Sequence, residues 1–331
     1  MDSIVLWIVV FLALSFDFIN GFHDTANAIA TSVSTRALKP RAAILLAATM
    51  NFVGALTFTG VAKTIGSGIA DPGKLEHGVQ VVIAALIGAI AWNLITWWFG
   101  IPSSSSHALI GSLAGAVIAA EGFDQINAGG FVEIIEALIL SPLIAFSVGF
   151  ILMWLLKRIF AKFSPHKINK GFRMGQIITA AFQSFAHGTN DAQKAMGIIT
   201  FALVAAEVQD HFEVALWVKI AAATAMALGT SVGGWKIIKT MGTKIFKIEP
   251  INGFAADIGS AAVILTATMI HLPVSTTHVV TSSILGVGSA KRFSSVKWSL
   301  AGRIVIAWFI TIPITIIMAA IVYWIMDALF L

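Results

Sequence analysis

The sequence predicts an all-α polytopic membrane protein, an inverted-topology 5+5 repeat with broken helices and re-entrant or hairpin segments. Three observations carry that expectation. The 331 residues are 58% hydrophobic and 11% charged, with a mean hydropathy of +0.90, whereas soluble domains hold about 25% charged and about 45–50% apolar residues. Two polar motifs each occur twice, in the same order. The loop charges reverse sign between the two copies at two of three equivalent loops, and the third leans the same way. This composition excludes a soluble enzyme, a nucleic-acid module and a disordered linker. The net charge of +5 sits in short basic clusters between apolar runs, the pattern of cytoplasmic loops. The expected partner is therefore a lipid bilayer and not nucleic acid. There is no cysteine, hence no disulfide and no thiol chemistry.

About 20 apolar residues cross a bilayer, so the chain holds roughly ten crossings. The first run, 4–18, follows Met1-Asp2-Ser3, which lacks a basic leader region. No small-residue cleavage site precedes Asp17, so the segment is expected to be retained. It leads into a polar cluster over 20–27. The runs 42–61 and 79–99 are continuous. Pro102 and the hydroxyl cluster 103–107 interrupt the chain before 107–120, and 132–156 closes the first half. A linker over 157–173 carries six Lys or Arg and no acid. The second half then repeats the order: 176–186 and 192–206 flank a polar cluster at 187–194. Runs 215–235 and 254–270 follow, a hydroxyl cluster at 275–278 precedes 279–287, and 299–330 ends the chain. The expected division is 1–156, a basic linker 157–173, and 174–331.

The duplication is explicit. Gly21-Phe22-His23-Asp24-Thr25-Ala26-Asn27-Ala28 matches Gly188-Thr189-Asn190-Asp191-Ala192-Gln193-Lys194-Ala195. Pro102-Ser103-Ser104-Ser105-Ser106-His107 matches Pro273-Val274-Ser275-Thr276-Thr277-His278. Asp24 precedes His107 by 83 residues and Asp191 precedes His278 by 87. Arg36, Lys39 and Arg41 follow the first Asp motif, but Glu207, Asp210 and Glu213 follow the second. The next loop is neutral in the first half, while its counterpart holds Lys236, Lys239, Lys244 and Lys247. Glu121, Asp124, Glu133 and Glu136 follow the first Ser motif; Lys291, Arg292 and Lys297 follow the second. If basic loops face the cytoplasm, the halves lie in opposite orientations. Five crossings per half, an odd number, satisfy this. Both termini are then expected outside and the linker in the cytoplasm, in a cell inner membrane.

Inverted repeats with interrupted helices mark secondary transporters, whose substrate sits near the midplane. Pro102 and Pro273 each precede hydroxyls that would cap a helix N-terminus, and such termini attract anions. Ser104, Ser105 and Ser106, with Ser275, Thr276 and Thr277, thus form two facing donor sets for a small tetrahedral oxyanion. Plain helix capping would explain one copy; duplication beside an intramembrane Asp favours a site. Thr25, Gln183 and Lys194 join the substrate set. Asp24 and Asp191 are intramembrane carboxylates, costly and functional by default. Asp191 has Lys194 one turn on as an ion-pair alternative. Asp24 with Asn27 suits a hard cation, and Asp257 is a further cation candidate. An inside-negative potential opposes anion uptake by about 2.3 kcal/mol per charge per 100 mV, so a co-transported cation is expected. The carboxylates beside the anion favour hydrogen phosphate over sulfate. His107 and His278 read as packing residues, most tryptophans as belt residues, and Gly111 to Gly115 as a close helix contact.

These motifs resemble the inorganic phosphate transporter (PiT) family, which includes the mammalian sodium/phosphate symporters. The paired Asp motifs look like its duplicated signature, and Pro273 to His278 and Glu249-Pro250 with Gly253-Phe254 are also similar. His23-Asp24 and Lys194 look like the bacterial form. The resemblance implies phosphate symport with Na⁺ or H⁺ and no other cofactor. It carries a substrate role to Ser104, Ser105, Ser106, Ser275, Thr276 and Thr277, and a Na⁺ role to Asp24, Asn27, Asn190 and Asp191. A homodimer is one arrangement it allows. The alternatives are a sulfate or other oxyanion symporter, an anion channel and an intramembrane hydrolase. A triad needs one asymmetric set, whereas here every element is duplicated.

Overall fold

A computed structural model describes residues 3–330; Met1, Asp2 and Leu331, and with them part of the leader and terminus expectations, lie outside the described residues. Among these residues the regular structure is helical, joined by loops and turns, with one isolated bridge between Ala70 and Ile126. In the first half the helices are α1 (Ser3–Ser34), α2 (Pro40–Ala55), α3 (Gly60–Gly68), α4 (Gly78–Phe99), α5 (Ser105–Glu121) and α6 (Ala128–Ile159). The second half holds α7 (Pro165–Asp191), α8 (Gln193–Ala205), α9 (Leu216–Val232), α10 (Trp235–Lys239), α11 (Pro250–Met269), α12 (Thr276–Arg292) and α13 (Trp298–Phe330). α1, α4, α6, α11 and α13 are each long and apolar enough to cross a bilayer. The pairs α2–α3 and α9–α10 qualify as spans bent by 72° and 63°.

Five units therefore recur in order: α1 with α7–α8, α2–α3 with α9–α10, α4 with α11, α5 with α12, and α6 with α13. Contacts between the halves come in exchanged pairs. α5 packs on α13 as α12 packs on α6, and α1 packs on α9 as α7 packs on α2. Both α6 and α13 carry an internal proline, Pro142 and Pro313.

The two breaks expected at the Asp motifs differ from the sequence expectation, while those at the hydroxyl clusters fall where expected. α1 runs unbroken through the first Asp motif, and α7–α8 yields only at Ala192. An α-helix satisfies its own backbone, so polar side chains need partners, not a broken helix. The real breaks are the bends and two hairpin tips, 100–104 between α4 and α5, and 270–275 between α11 and α12.

Each hairpin enters and leaves on one side. The His77 N–H donates to Glu121 Oε1 at 3.1 Å, joining the start of α4 to the end of α5. Lys291 Nζ lies 3.0 Å from Glu249 Oε2, joining the end of α12 to the start of α11. Lys157 Nζ donates to the Lys291 carbonyl at 3.3 Å. The basic ends of α6 and α12 thus cluster together. The basic stretch after α6 is mostly helical: Lys157 and Arg158 end α6, and Lys167, Lys170 and Arg173 lie in the first turns of α7.

Two hydrophobic cores form, one at each end of the bundle. α1 contributes Val9, Val10, Ala13 and Phe16 to the first and Ala26, Ala28, Ile29 and Ala30 to the second. Between them most of its buried residues are polar, namely Asp17, Asn20, His23, Asp24 and Thr25, alongside Gly21 and Phe22. Glycines bring the backbones together there. A Cβ on Gly229 would meet the Phe18 carbonyl, and one on Gly188 the Asn51 carbonyl. Gly111 and Gly115 press on Ile312 and Ile316 of α13 in the same way, as the sequence suggested.

Candidate functional site

The hairpin tips enter this polar layer from opposite ends and meet. Ser106 Oγ donates to the Val274 carbonyl at 2.9 Å, and the His107 and His278 rings lie 4.4 Å apart between centroids. Ser104 Oγ accepts from the His107 N–H at 3.1 Å and Ser275 Oγ from the His278 N–H at 3.2 Å. These are N-caps, in which each hydroxyl oxygen accepts from its own helix and keeps its O–H to donate. Trp308 is not a belt residue: it stacks on His278 at 3.9 Å and donates to the Pro102 carbonyl at 3.2 Å.

The hydroxyls one and two positions on reach the carboxylates. Ser105 Oγ donates to Asp24 Oδ2 at 3.2 Å, and the mirror residue Thr276 donates to Asp191 Oδ2 at 3.2 Å. Thr277 Oγ1 donates to Asp24 Oδ1 at 3.2 Å, so Asp24 draws on both tips. Asn27 Nδ2 reaches Thr277 at 2.9 Å and Thr276 at 3.3 Å. Its carbonyl accepts from Gln183 Nε2 at 3.4 Å.

Lys194 is fully buried; its Nζ lies 2.9 Å from Asp191 Oδ1 and donates to Ser105 Oγ at 2.9 Å. It therefore joins the second Asp motif to the first hairpin. His23 Nδ1 sits 2.7 Å from Asp24 Oδ1, and His187 Nε2 3.3 Å from Asp191 Oδ2. Ligand atoms of Asp24, His187 and Asp191 all fall within 4.8 Å of one another, and all three residues are buried. This set can hold a cation, with tip hydroxyls as further oxygen ligands.

Three expected site residues sit elsewhere. Thr25 Oγ1 bonds back to the Gly21 carbonyl at 2.7 Å and reaches Thr230 at 3.3 Å. It faces α9, because one residue past Asp24 turns about 100° around the helix. Asn190 braces the second tip, donating to Thr268 Oγ1 at 3.0 Å and accepting from the Val274 N–H at 3.4 Å. Asp257 of α11 meets α1 at Thr31, seven residues past Asp24, and accepts from Thr31 Oγ1 at 2.6 Å and Thr179 Oγ1 at 3.1 Å. It forms a separate polar cluster.

Other residues were not expected. Asn51 of α2 donates to Thr230 Oγ1 at 2.9 Å and its Oδ1 lies 3.2 Å from His187 Nδ1. Asn20 Nδ2 donates to Asp191 Oδ2 at 3.4 Å. Thr96 Oγ1 meets His23 Nε2 at 3.2 Å and accepts from Ser103 at 2.9 Å. For Asn51 and Thr96, single polar residues inside apolar runs were the available signal.

The chain is similar to proteins already described. Residues 20–319 match the Phosphate transporter family. A protein of Bacillus subtilis (strain 168) named "Probable low-affinity inorganic phosphate transporter" is 63% identical over 324 residues, 98% of this chain and 97% of its own. One of the same name from Rhizobium meliloti (strain 1021) is 47% identical over 321 residues, 96% of each. A solved structure described as "The sodium-dependent phosphate transporter" superposes with a TM-score of 0.87 and 26% identity, covering 99% of this chain and 100% of that one. These are transporters and not enzymes, and with a match spanning nearly the whole sequence this chain belongs to the phosphate transporter family.

Proposed function

We propose that the chain takes up inorganic phosphate by symport with Na⁺, binding both between the two hairpin tips and alternating access by rocking one bundle against the other. The observation that carries this reading is the convergence of two helix N-termini and their hydroxyls on Asp24, Asp191 and Lys194. Ser105, Ser106, Thr276, Thr277, Gln183 and Lys194 would hold the anion. Asp24, Asn27, Asp191 and their hydroxyl neighbours would hold the cation, with H⁺ as the alternative ion. Asp24, Asp191 and Lys194 together carry a formal charge of −1. A divalent phosphate makes that −3 at membrane depth, so cations must enter with it. The printed name of the similar solved structure favours Na⁺.

The sidedness follows the basic clusters: linker 157–173 in the cytoplasm, halves 1–156 and 174–331 inverted about it, both termini outside. The acceptors beside the anion favour hydrogen phosphate, which keeps a proton to donate, over sulfate. Labelled phosphate and sulfate uptake into proteoliposomes under separate Na⁺ and H⁺ gradients tests this. The reading expects Na⁺-driven accumulation of phosphate above equilibrium. Equal sulfate uptake would remove the selectivity argument, and gradient-independent equilibration would point to a channel.

A further inference from the structure

Asp17 is fully buried, and neither of its carboxylate oxygens has a hydrogen-bond partner among the described residues. It begins a stripe on α1. Asp17, Asn20, Asp24, Asn27 and Thr31 recur in steps of three and four, so they share one helix face. The facing helix pair α7–α8 runs antiparallel, and hydrogen bonds fix the register. Thr35 donates to Gln176 at 2.6 Å, Thr31 and Thr179 share Asp257, Gln183 meets the Asn27 carbonyl, and Asn20 meets Asp191. One more step in this register sets Asp17 opposite Lys194.

The internal repeat makes the pair conspicuous. The offset that carries Asp24 to Asp191 carries Asp17 to Ser184 and Asn27 to Lys194. The mirror image of Asp17 and Lys194 is therefore a neutral pair, Ser184 with Asn27. An acid and a base have been added together on one side of the pseudo-two-fold. Yet Lys194 rests on Asp191. Nζ is shared, lying 2.9 Å from Asp191 Oδ1 and donating to Ser105 Oγ at 2.9 Å.

We propose that Asp17 is the second docking point of Lys194, whose ammonium is a tethered counter-ion competing with the transported cation at Asp191. When the cation binds Asp191, the ammonium moves outward by about one helical step of three residues, roughly 4.5 Å, onto Asp17. The flexible four-carbon stem of lysine allows that reach. Ser105 is then released to the anion. Asp17 keeps the displaced ammonium from being buried without a partner. The inference rests on the symport reading, and Asp17 is a positioning residue in it.

The test measures labelled phosphate uptake against Na⁺ concentration in proteoliposomes, with ²²Na⁺ binding to the purified protein as a readout that survives loss of transport. Asp17→Asn is expected to raise half-saturating Na⁺ at least tenfold while leaving the maximal rate within about twofold. Asp17→Glu restores the wild-type value. Asp17→Ser, which copies the mirror residue, repeats the effect should the Asn variant misfold. In a Lys194→Asn background Asp17→Asn changes Na⁺ binding no further, the non-additivity of a coupled pair. Wild-type Na⁺ dependence in Asp17→Asn, or the same shift with and without Lys194, overturns the proposal. A wild-type protein that neither binds nor needs Na⁺ overturns the symport reading itself, and the proposal with it.

Discussion

Asp24 is where the two halves exchange hydrogen bonds: it accepts from Ser105 of one hairpin and Thr277 of the other. Asp24→Asn or Asp191→Asn keeps the volume and removes the charge a cation needs. Either change should reduce Na⁺-driven phosphate uptake to background with membrane insertion intact; wild-type rates in both variants would disprove the cation assignment. Ser105→Ala or Thr277→Ala removes one hydroxyl near an anion, worth about 1.5–3 kcal/mol for a hydrogen bond to a charged group. Phosphate affinity should fall about 10- to 100-fold, and Na⁺ affinity less. Phosphate titrations at fixed Na⁺ measure the difference. The members of this site legible in the sequence were the duplicated ones, because a motif repeated at matching spacing stands out from ordinary polar residues. Asn20, Asn51 and Thr96 were not legible. Asn51 and Thr96 are lone polar residues in apolar runs, Asn20 only opens the polar cluster 20–27, and only packing shows that Asn20 meets Asp191 and Asn51 meets His187. Thr25 and Asn190 misled for the opposite reason. They sit inside the motif, but the helix turns Thr25 away and the hairpin loop claims Asn190.

At the scale of elements, the hairpins aim their N-termini at one point because glycines let the flanking helices press close. Gly188 of α7 lies against the Asn51 backbone of α2, mirrored by Gly21 of α1 against Met226 of α9, and Gly229 of α9 lies against Phe18 of α1, mirrored by Gly54 of α2 against Phe185 of α7. Gly188→Val or Gly229→Val places carbon where a carbonyl already sits. Overpacking of this kind costs about 1–3 kcal/mol or more, so the melting temperature of the purified protein should drop by several degrees. An unchanged melting temperature would mean these contacts are looser than described. Replacing the caps, Ser104→Ala or Ser275→Ala, should cost about 1 kcal/mol each and weaken phosphate binding less than Ser105→Ala does. Element order was legible from apolar runs, prolines and repeated motifs, but the roughly ten crossings expected were not met: five helices, or seven spans with the two bent pairs, are long and apolar enough to cross. The course of the chain at the Asp motifs was not legible, because a polar cluster looks the same in sequence whether the helix snaps or the cluster finds side-chain partners. α1 found them, in α5, α7 and α12.

The whole molecule is two inverted halves whose polar faces meet between two apolar cores. Loop charges made the inversion legible, because orientation is written in lysine and arginine counts. The chain has no cysteine, so single cysteines report sidedness without background. Ser164→Cys, between α6 and α7, should react with an impermeant maleimide only from the cytoplasmic side, and Asp124→Cys, after α5, only from outside. Labelling of both from the same side would contradict the inverted arrangement. The central claim is that one anion sits between two hairpin tips from opposite halves, and an experimental density map of the protein with phosphate and Na⁺ tests it most directly. The account predicts tetrahedral density touching Ser105 of one tip and Thr277 of the other, within ion-pair distance of Lys194. Phosphate density bound to a single hairpin, or outside the layer that holds Asp24 and Asp191, would contradict it.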